Sequence, residues 1–303
     1  MKKRVLAAFL SMAMVAGLAT GCGTPGGGKS DGDSADGKVF RYAVNTLPTT
    51  LDPTKGQSIG DNEIQHAVTE GLTRNTAGDV KPGIAESWDE SEDGLTYTFH
   101  LRKDAKWSDG EPITAADFEY SWKRLVNPET ASPYAFIGDC LKNGQAIEQG
   151  KMDVEELGVK AVDDTTLEVT LEHPTSYFLS LIGSSGQYAP LRQDIVEKYG
   201  TDFAATSEKN VYSGPFVMTS SEDNVWTFEK NDNYWDKDSI NLDKCELNYV
   251  ENTDTQLSMY EAGDLDYVQV PTAYVSDYKD KAEVFANGNV DFCYINSKSD
   301  NPV

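Results

Sequence analysis

Residues Ala85–Leu125 read AESWDESEDGLTYTFHLRKDAKWSDGEPITAADFEYSWKRL, the densest set of local structural instructions in the 303-residue chain. Glu92-Asp93-Gly94 is a turn signal, because glycine takes positive φ at no steric cost and aspartate hydrogen-bonds its own backbone. From Leu95 to Arg102 the apolar Leu95, Tyr97, Phe99 and Leu101 alternate with Thr96, Thr98, His100 and Arg102. That period of two predicts a strand with one buried face and one wet face. Ser108-Asp109-Gly110 turns the chain again. Thr114-Ala115-Ala116-Asp117 has the form of a capping box, and Phe118, Trp122, Leu125 and Val126 follow at i, i+4, i+7 and i+8, one face of a helix. Asn127-Pro128 ends that helix, since a residue before proline is pushed out of the helical region.

Toward the N-terminus, Lys38 to Val44 is a short apolar strand leading into Leu51-Asp52-Pro53, where proline forces a bend. Ile64, Val68 and Leu72 fall at i, i+4 and i+8 and predict a helix capped by Asp61. Toward the C-terminus, Thr130 to Tyr134 is a polar loop with an aromatic tip, and Leu157 to Val162 is a strand closed by the turn Asp163-Asp164-Thr165. Leu167, Val169 and Leu171 alternate with Glu168, Thr170 and Glu172, a second half-buried strand ended by His173-Pro174. Asp194 to Tyr199 predicts a short helix closed by Gly200. Thr253-Asp254-Thr255-Gln256 reads as another capping box, with Leu257 and Tyr260 on one face and Gly263 at the C-cap. Asp291 to Asn296 reads as a strand. Short strands alternating with helices, without an internal repeat, place the chain in the α/β or α+β class.

With 26 basic and 50 acidic residues the net charge is -24, which argues against nucleic acid and anionic membrane surfaces as partners. Hydrophobic content of 39% with 15 Tyr and 11 Phe is that of a folded body. Met1-Lys2-Lys3-Arg4 and the apolar run Val5 to Ala19 have the charged and hydrophobic regions of a secretory signal over residues 1–21. Leu18-Ala19-Thr20-Gly21-Cys22 follows as a lipobox with Ala19 in the usual leucine place, so that Cys22 is the expected acylation site. A plain secretory signal is the alternative. Residues 22–38, rich in Gly, Ser and Asp, read as a flexible tether behind that anchor. Cys140, Cys245 and Cys293 remain, an odd number without CxxC spacing, and read as buried or free thiols with one disulfide as the alternative. His66, His100 and His173 lack metal-ligand spacing, and neither a metal nor another cofactor is expected.

The linked run AESW, DG, HLRKDAKWSDG and PITAADF with Tyr120 and Trp122 resembles the signature region of the extracytoplasmic solute-binding proteins of peptide ABC importers, the oligopeptide and dipeptide-binding family. Leu51-Asp52-Pro53, Glu70-Gly71-Leu72, Gly214-Pro215-Phe216, Tyr234-Trp235-Asp236 and Gly263 to Asp266 are similar to further marks of that family. The resemblance covers nearly every residue but only the N-terminal part of the family's fold. It implies a periplasmic-binding-protein type II clamshell of mixed sheets flanked by helices, with the third lobe largely missing. Residues 39–70 and 191–290 would form lobe I, 71–190 the small lobe II, and 291–303 the start of lobe III. It also implies a non-enzymatic, monomeric receptor, lipid-anchored outside the cell membrane or in a periplasm, that holds an oligopeptide between lobes and delivers it to ABC permease subunits. The peptide would be bonded through its backbone, like an added strand. By position, Gln57, Ser58 and Ile59 match the family's stretch that meets the ligand main chain, and Tyr134 matches an aromatic lining the cleft. Phe292 and Tyr294 are further candidates. Without the family, Ile59 reads as a helix-entry staple and the three aromatics as core or surface residues.

Alternatives within the class are a dipeptide, a signalling peptide, a sugar or nickel as solute. Outside it stands a secreted hydrolase, for which no GxSxG, HExxH or P-loop pattern is present. Acidic pairs such as Glu86 with Asp89, or Asp163 with Asp164, have the residue type of glycosidase carboxylates but read as solvated turn and helix-start groups.

Overall fold

A computed structural model describes residues 37–76 and 78–284. The expected signal, Cys22 and its tether, and Cys293, Phe292 and Tyr294 in the expected strand Asp291 to Asn296, lie outside the described residues. The strands are β1 (Val39–Val44), β2 (Thr73–Thr76), β3 (Asp79–Pro82), β4 (Ala85–Glu90), β5 (Thr96–Leu101), β6 (Val159–Asp163), β7 (Thr166–Thr170), β8 (Phe216–Glu222), β9 (Val225–Lys230) and β10 (Lys244–Tyr249). The α-helices are α1 (Ile59–Val68), α2 (Ala115–Val126), α3 (Gly144–Glu148), α4 (Phe178–Ser184), α5 (Gln193–Tyr199), α6 (Thr253–Ala262) and α7 (Val275–Tyr278), joined by several 3-10 turns.

Two four-stranded sheets organise two hydrophobic cores. One sheet has the order β4-β5-β7-β6, all antiparallel. In β5, Tyr97, Phe99 and Leu101 are buried while Thr96, Thr98 and His100 are not, as the alternation predicts. Helix α2 packs across β6 and β7. Its Phe118, Trp122, Leu125 and Val126 are buried together with Leu167, Val169 and Phe178 in one cluster running from Leu72 to Tyr188. The indole of Trp122 meets the Tyr188 ring edge to face at 5.0 Å and donates its N–H to the Tyr188 carbonyl at 2.9 Å. Each fully buried large apolar side chain in such a cluster contributes about 1.5–3 kcal/mol.

The other sheet has the order β1-β10-β9-β8, with β1 parallel to β10 and the remaining pairs antiparallel. Its core joins Val44, Leu51, Ile64 and Val68 to Leu191, Phe203, Phe216, Phe228 and Leu247. The chain thus leaves this core after Val68, builds the Leu72–Tyr188 core and returns from Leu191 onward. The outgoing segment runs beside Ser213 and Gly214, where the Gly214 N–H bonds the Val68 carbonyl at 2.9 Å. A Cβ on Gly214 would stand 2.5 Å from the Thr69 nitrogen, so only glycine permits this approach.

Three local expectations are corrected. Asp61 does not cap α1; Ser58 does, its Oγ accepting from the Asp61 N–H at 2.9 Å, because Asp61 occupies the third helical position. Leu72 is not on α1, which ends when Thr69 turns extended; it belongs to the other core. Helix α6 is capped by Asn252 through the Thr255 N–H at 2.9 Å, and Tyr260 is 43% exposed while Leu257 is buried. At α2 the capping box closes from the Asp117 side: the carboxylate accepts from the Thr114 N–H at 2.8 Å and from its hydroxyl at 3.1 Å.

Candidate functional site

The bend at Leu51-Asp52-Pro53 and the start of α1 are shaped by one carboxylate. Asp61, fully buried, accepts backbone N–H bonds from Thr49 (2.6 Å), Thr50 (3.1 Å), Gln57 (3.0 Å) and Ser58 (2.9 Å). Burial alone raises a carboxyl pKa, but these donors outweigh it and hold Asp61 below the ordinary carboxylate range. The consequence is positional. With their N–H groups tied to Asp61, Gln57 and Ser58 present an ordered edge, beside which Ile59 stands 59% exposed at the first residue of α1.

A cleft of about 230 Å³ opens along α1. Asn62, Gln65 and His66 line it from α1, Tyr134 from the loop after α2, and Leu181 with residues 184–187 from the end of α4. Of the residues expected at the ligand, Tyr134 lines this cleft, whereas Gln57, Ser58 and Ile59 lie at the start of α1 and are not among its lining residues. Tyr134 stacks obliquely on Phe136 at 5.9 Å. The loop carrying it is anchored across the two cores, since Ser132 Oγ donates to the Thr54 carbonyl at 2.6 Å. Among the described residues no aspartate, glutamate, lysine or arginine lines this cleft. Gln65 is 1% exposed there, and among the described residues neither its Nε2 nor its Oε1 has a partner. An unpaired buried amide group costs about 1–3 kcal/mol.

Two polar clusters tie the cores together beside this cleft. Arg124 of α2 grips Asp52 in a bidentate pair at 2.9 and 2.7 Å, while Thr54 donates to the same carboxylate through its N–H at 3.0 Å and its hydroxyl at 2.8 Å. On the outgoing segment, Arg74 bonds Glu70 at 2.6 and 3.2 Å and Asp236 at 2.9 Å, and the Tyr234 hydroxyl closes on both Glu70 and Arg74. Trp235 lies between two guanidinium groups, Arg102 at 3.8 Å and Arg74 at 4.7 Å from its ring.

Among the acidic pairs, Asp89 pairs with His100 at 2.9 Å on an exposed strand edge. Asp163 accepts from the Thr165 N–H at 2.8 Å, and that turn bond leads the causes that hold its carboxyl low. None of these residues reaches the cleft. Cys140 and Cys245 are free thiols; burial raises both, Cys245 to about 11. Among the described residues no group of three or more His, Cys, Asp or Glu side chains has a metal-holding arrangement. Asn62 and His66 were legible only as polar residues on the side of α1 away from Ile64 and Val68, Gln65 is buried beside Ile64 where no spacing marks it, and the 184–187 segment carries no pattern that marks it.

Comparison with known proteins fits this arrangement. The family described as bacterial extracellular solute-binding proteins, family 5 Middle, matches residues 79–303. The chain is 40% identical over 253 residues to the dipeptide-binding protein DppE of Bacillus subtilis (strain 168), covering 82% of this chain and 46% of that protein. It is 36% identical over 275 residues to the oligopeptide-binding protein OppA of the same organism, covering 89% of this chain and 50% of the relative. The crystal structure of the substrate-binding domain of an oligopeptide ABC transporter from Bacillus anthracis str. Ames superposes with a TM-score of 0.77 at 40% identity, over 82% of this chain and 48% of the other. Listeria monocytogenes OppA bound to peptide gives a TM-score of 0.76 at 36% identity, over 82% and 49% of the two chains. The chain belongs to the family 5 extracellular solute-binding proteins, as the sequence resemblance implied, and has their mixed α/β fold. It spans about half the length of the curated relatives it matches.

Proposed function

We propose that this chain is the N-terminal half of a lipid-anchored extracytoplasmic receptor that holds oligopeptides between lobes and hands them to an ABC importer permease. The observation that carries the reading is the cleft along α1, which Tyr134 lines, on a helix that begins at the exposed Ile59 behind the Asp61-ordered Gln57 and Ser58, in a chain of this family. Two relatives bearing the names dipeptide-binding and oligopeptide-binding protein support a peptide as the solute. In this reading the core of Val44 to Val68 and Leu191 to Leu247 is lobe I, the core of Leu72 to Tyr188 is lobe II, and residues from 291 onward begin lobe III. Peptide main chain is met by Gln57, Ser58 and Ile59, one wall is Tyr134, and Phe292 and Tyr294 are further ligand-binding residues. Cys22 carries the lipid, and the receptor works as a monomer without catalysis.

Backbone recognition accounts for sequence tolerance, because main-chain donors and acceptors are common to all peptides. Closure around the peptide selects the state that the permease receives. The test is mass spectrometry of small molecules carried through purification of the complete gene product. Co-purified peptides support the reading; a non-peptide solute at stoichiometric occupancy overturns it. Metabolic labelling with a fatty acid, lost in Cys22→Ser, tests the anchor separately.

A further inference from the structure

The geometry points to Gln65 as a ligand-binding residue whose carboxamide pairs, at the floor of the α1 cleft, with a neutral amide group that both donates and accepts. The side chain is 1% exposed, lines the cleft, and has Nε2 and Oε1 both without a partner among the described residues. A buried amide requires a donor and an acceptor opposite it. Among the described residues the surroundings supply neither, and the carboxamide sits between two glycines. Gly56 faces Nε2 and Gly186 faces Oε1, and a Cβ at either position would collide with the carboxamide. The neighbouring Gln187 does not fill the gap, since its Oε1 already accepts from Ser185 Oγ at 2.6 Å and its Nε2 is turned toward the Gly56 carbonyl at 3.5 Å.

The rest of the lining narrows the class of ligand. Asn62 and His66 stand on the same helix and Ser184 opposite, all able to donate and accept, while among the described residues no Asp, Glu, Lys or Arg lines the cleft. A carboxylate or an ammonium would be stripped of water there without a counter-charge, which selects against charged ends. A carboxamide or a backbone amide, with one N–H and one C=O, matches Gln65 end for end. The peptide as source of that amide rests on the receptor reading above; the site itself rests on the unpartnered Gln65.

The test is a titration of the isotopically labelled full chain with N-acetylglycinamide, using acetate and ethylammonium as charged controls. The readouts are the Gln65 side-chain amide resonances, identified by their loss in Gln65→Met, and the thermal midpoint. N-acetylglycinamide is expected to move those resonances and raise the midpoint, with affinity at least about 10-fold weaker in Gln65→Met. The charged controls are expected to do neither. Unmoved resonances at saturating probe, equal affinity in the variant, or an equal response to acetate each overturn the assignment. Should Gln65→Met fail to fold, Gln65→Glu serves as the second variant, and its retention of full amide affinity is equally fatal. The outcomes separate from those of the receptor reading. A bound small amide with no peptide in the complete protein sinks the receptor and keeps the site, and co-purified peptide with silent Gln65 resonances does the reverse.

Discussion

The guanidinium of Arg124 and the carboxylate of Asp52 form a bidentate ion pair at 2.9 and 2.7 Å, with side chains only 14% and 5% exposed, that joins the helix of one core to the proline bend of the other. Breaking such a pair leaves one charge desolvated and alone, at a cost of about 3–5 kcal/mol. Arg124→Met and Asp52→Leu should each lose that much in urea unfolding. The double variant should lose clearly less than the sum, because no orphaned charge remains. Additive losses would show that the two groups act independently.

Asp61 makes the order of the 47–58 loop depend on pH. Its carboxyl is held low in the folded state, so the stability it contributes is fully present above its unfolded value of about 3.9 and is lost as pH falls through the lower folded value. Asp61→Asn places an amide N–H among backbone donors and should cost about 2–3 kcal/mol at neutral pH. The measurable consequence is a difference between wild type and variant that shrinks as pH falls below 4. A constant difference down to pH 2 would remove the carboxylate from this role.

The two described thiols should be inert in the folded chain. The thiolate is the reactive form, and burial raises both thiols, Cys245 to about 11. Labelling with a maleimide at pH 7.5 followed by peptide mapping should leave Cys140 and Cys245 unmodified until denaturant is added. Rapid native labelling of Cys245 would contradict its burial in the β10 core.

Local physics explains which parts of this architecture were legible. Strand β5 and helix α2 repeat apolar residues at periods of two and of 3.6, and their boundaries fall within a residue or two of the sequence reading. Strand β4 was missed because its register shifts between Ala85 and Ser87 and Glu86, Ser87, Asp89 and Glu90 are all exposed, leaving no alternation to see. The hairpin of β2 and β3 and the strand β9 were unmarked because their residues show no regular alternation of buried and exposed positions, and β10 because its parallel partner β1 lies far along the chain. At the candidate site, Ile59 and Tyr134 were reached by family resemblance alone. The role of Asp61 in tying Gln57 and Ser58 depends on donors from Thr49 to Ser58 converging in space, which no spacing announces.

Trp235 offers a test of how rigidly the outgoing segment is held. Its ring lies 3.8 Å from the Arg102 guanidinium and 4.7 Å from that of Arg74, and Arg74 is itself bonded to Glu70 and Asp236. The indole therefore connects the end of β5, the hairpin strand β2 and the turn after β9. Removing it with Trp235→Ala takes away two cation-π contacts and half-buried apolar area, an expected loss of about 2–3 kcal/mol. Trp235→Phe keeps a ring face for both guanidinium groups and deletes the indole N–H, which is buried without a partner. It should cost clearly less than the alanine change. Hydrogen exchange locates the effect: in Trp235→Ala, protection should fall at Gly214, whose N–H bonds Val68, and at Ala85, whose N–H bonds Leu72, before it falls in α2. Protection lost first in α2, or an alanine variant as stable as the phenylalanine one, would place the rigidity of the segment elsewhere.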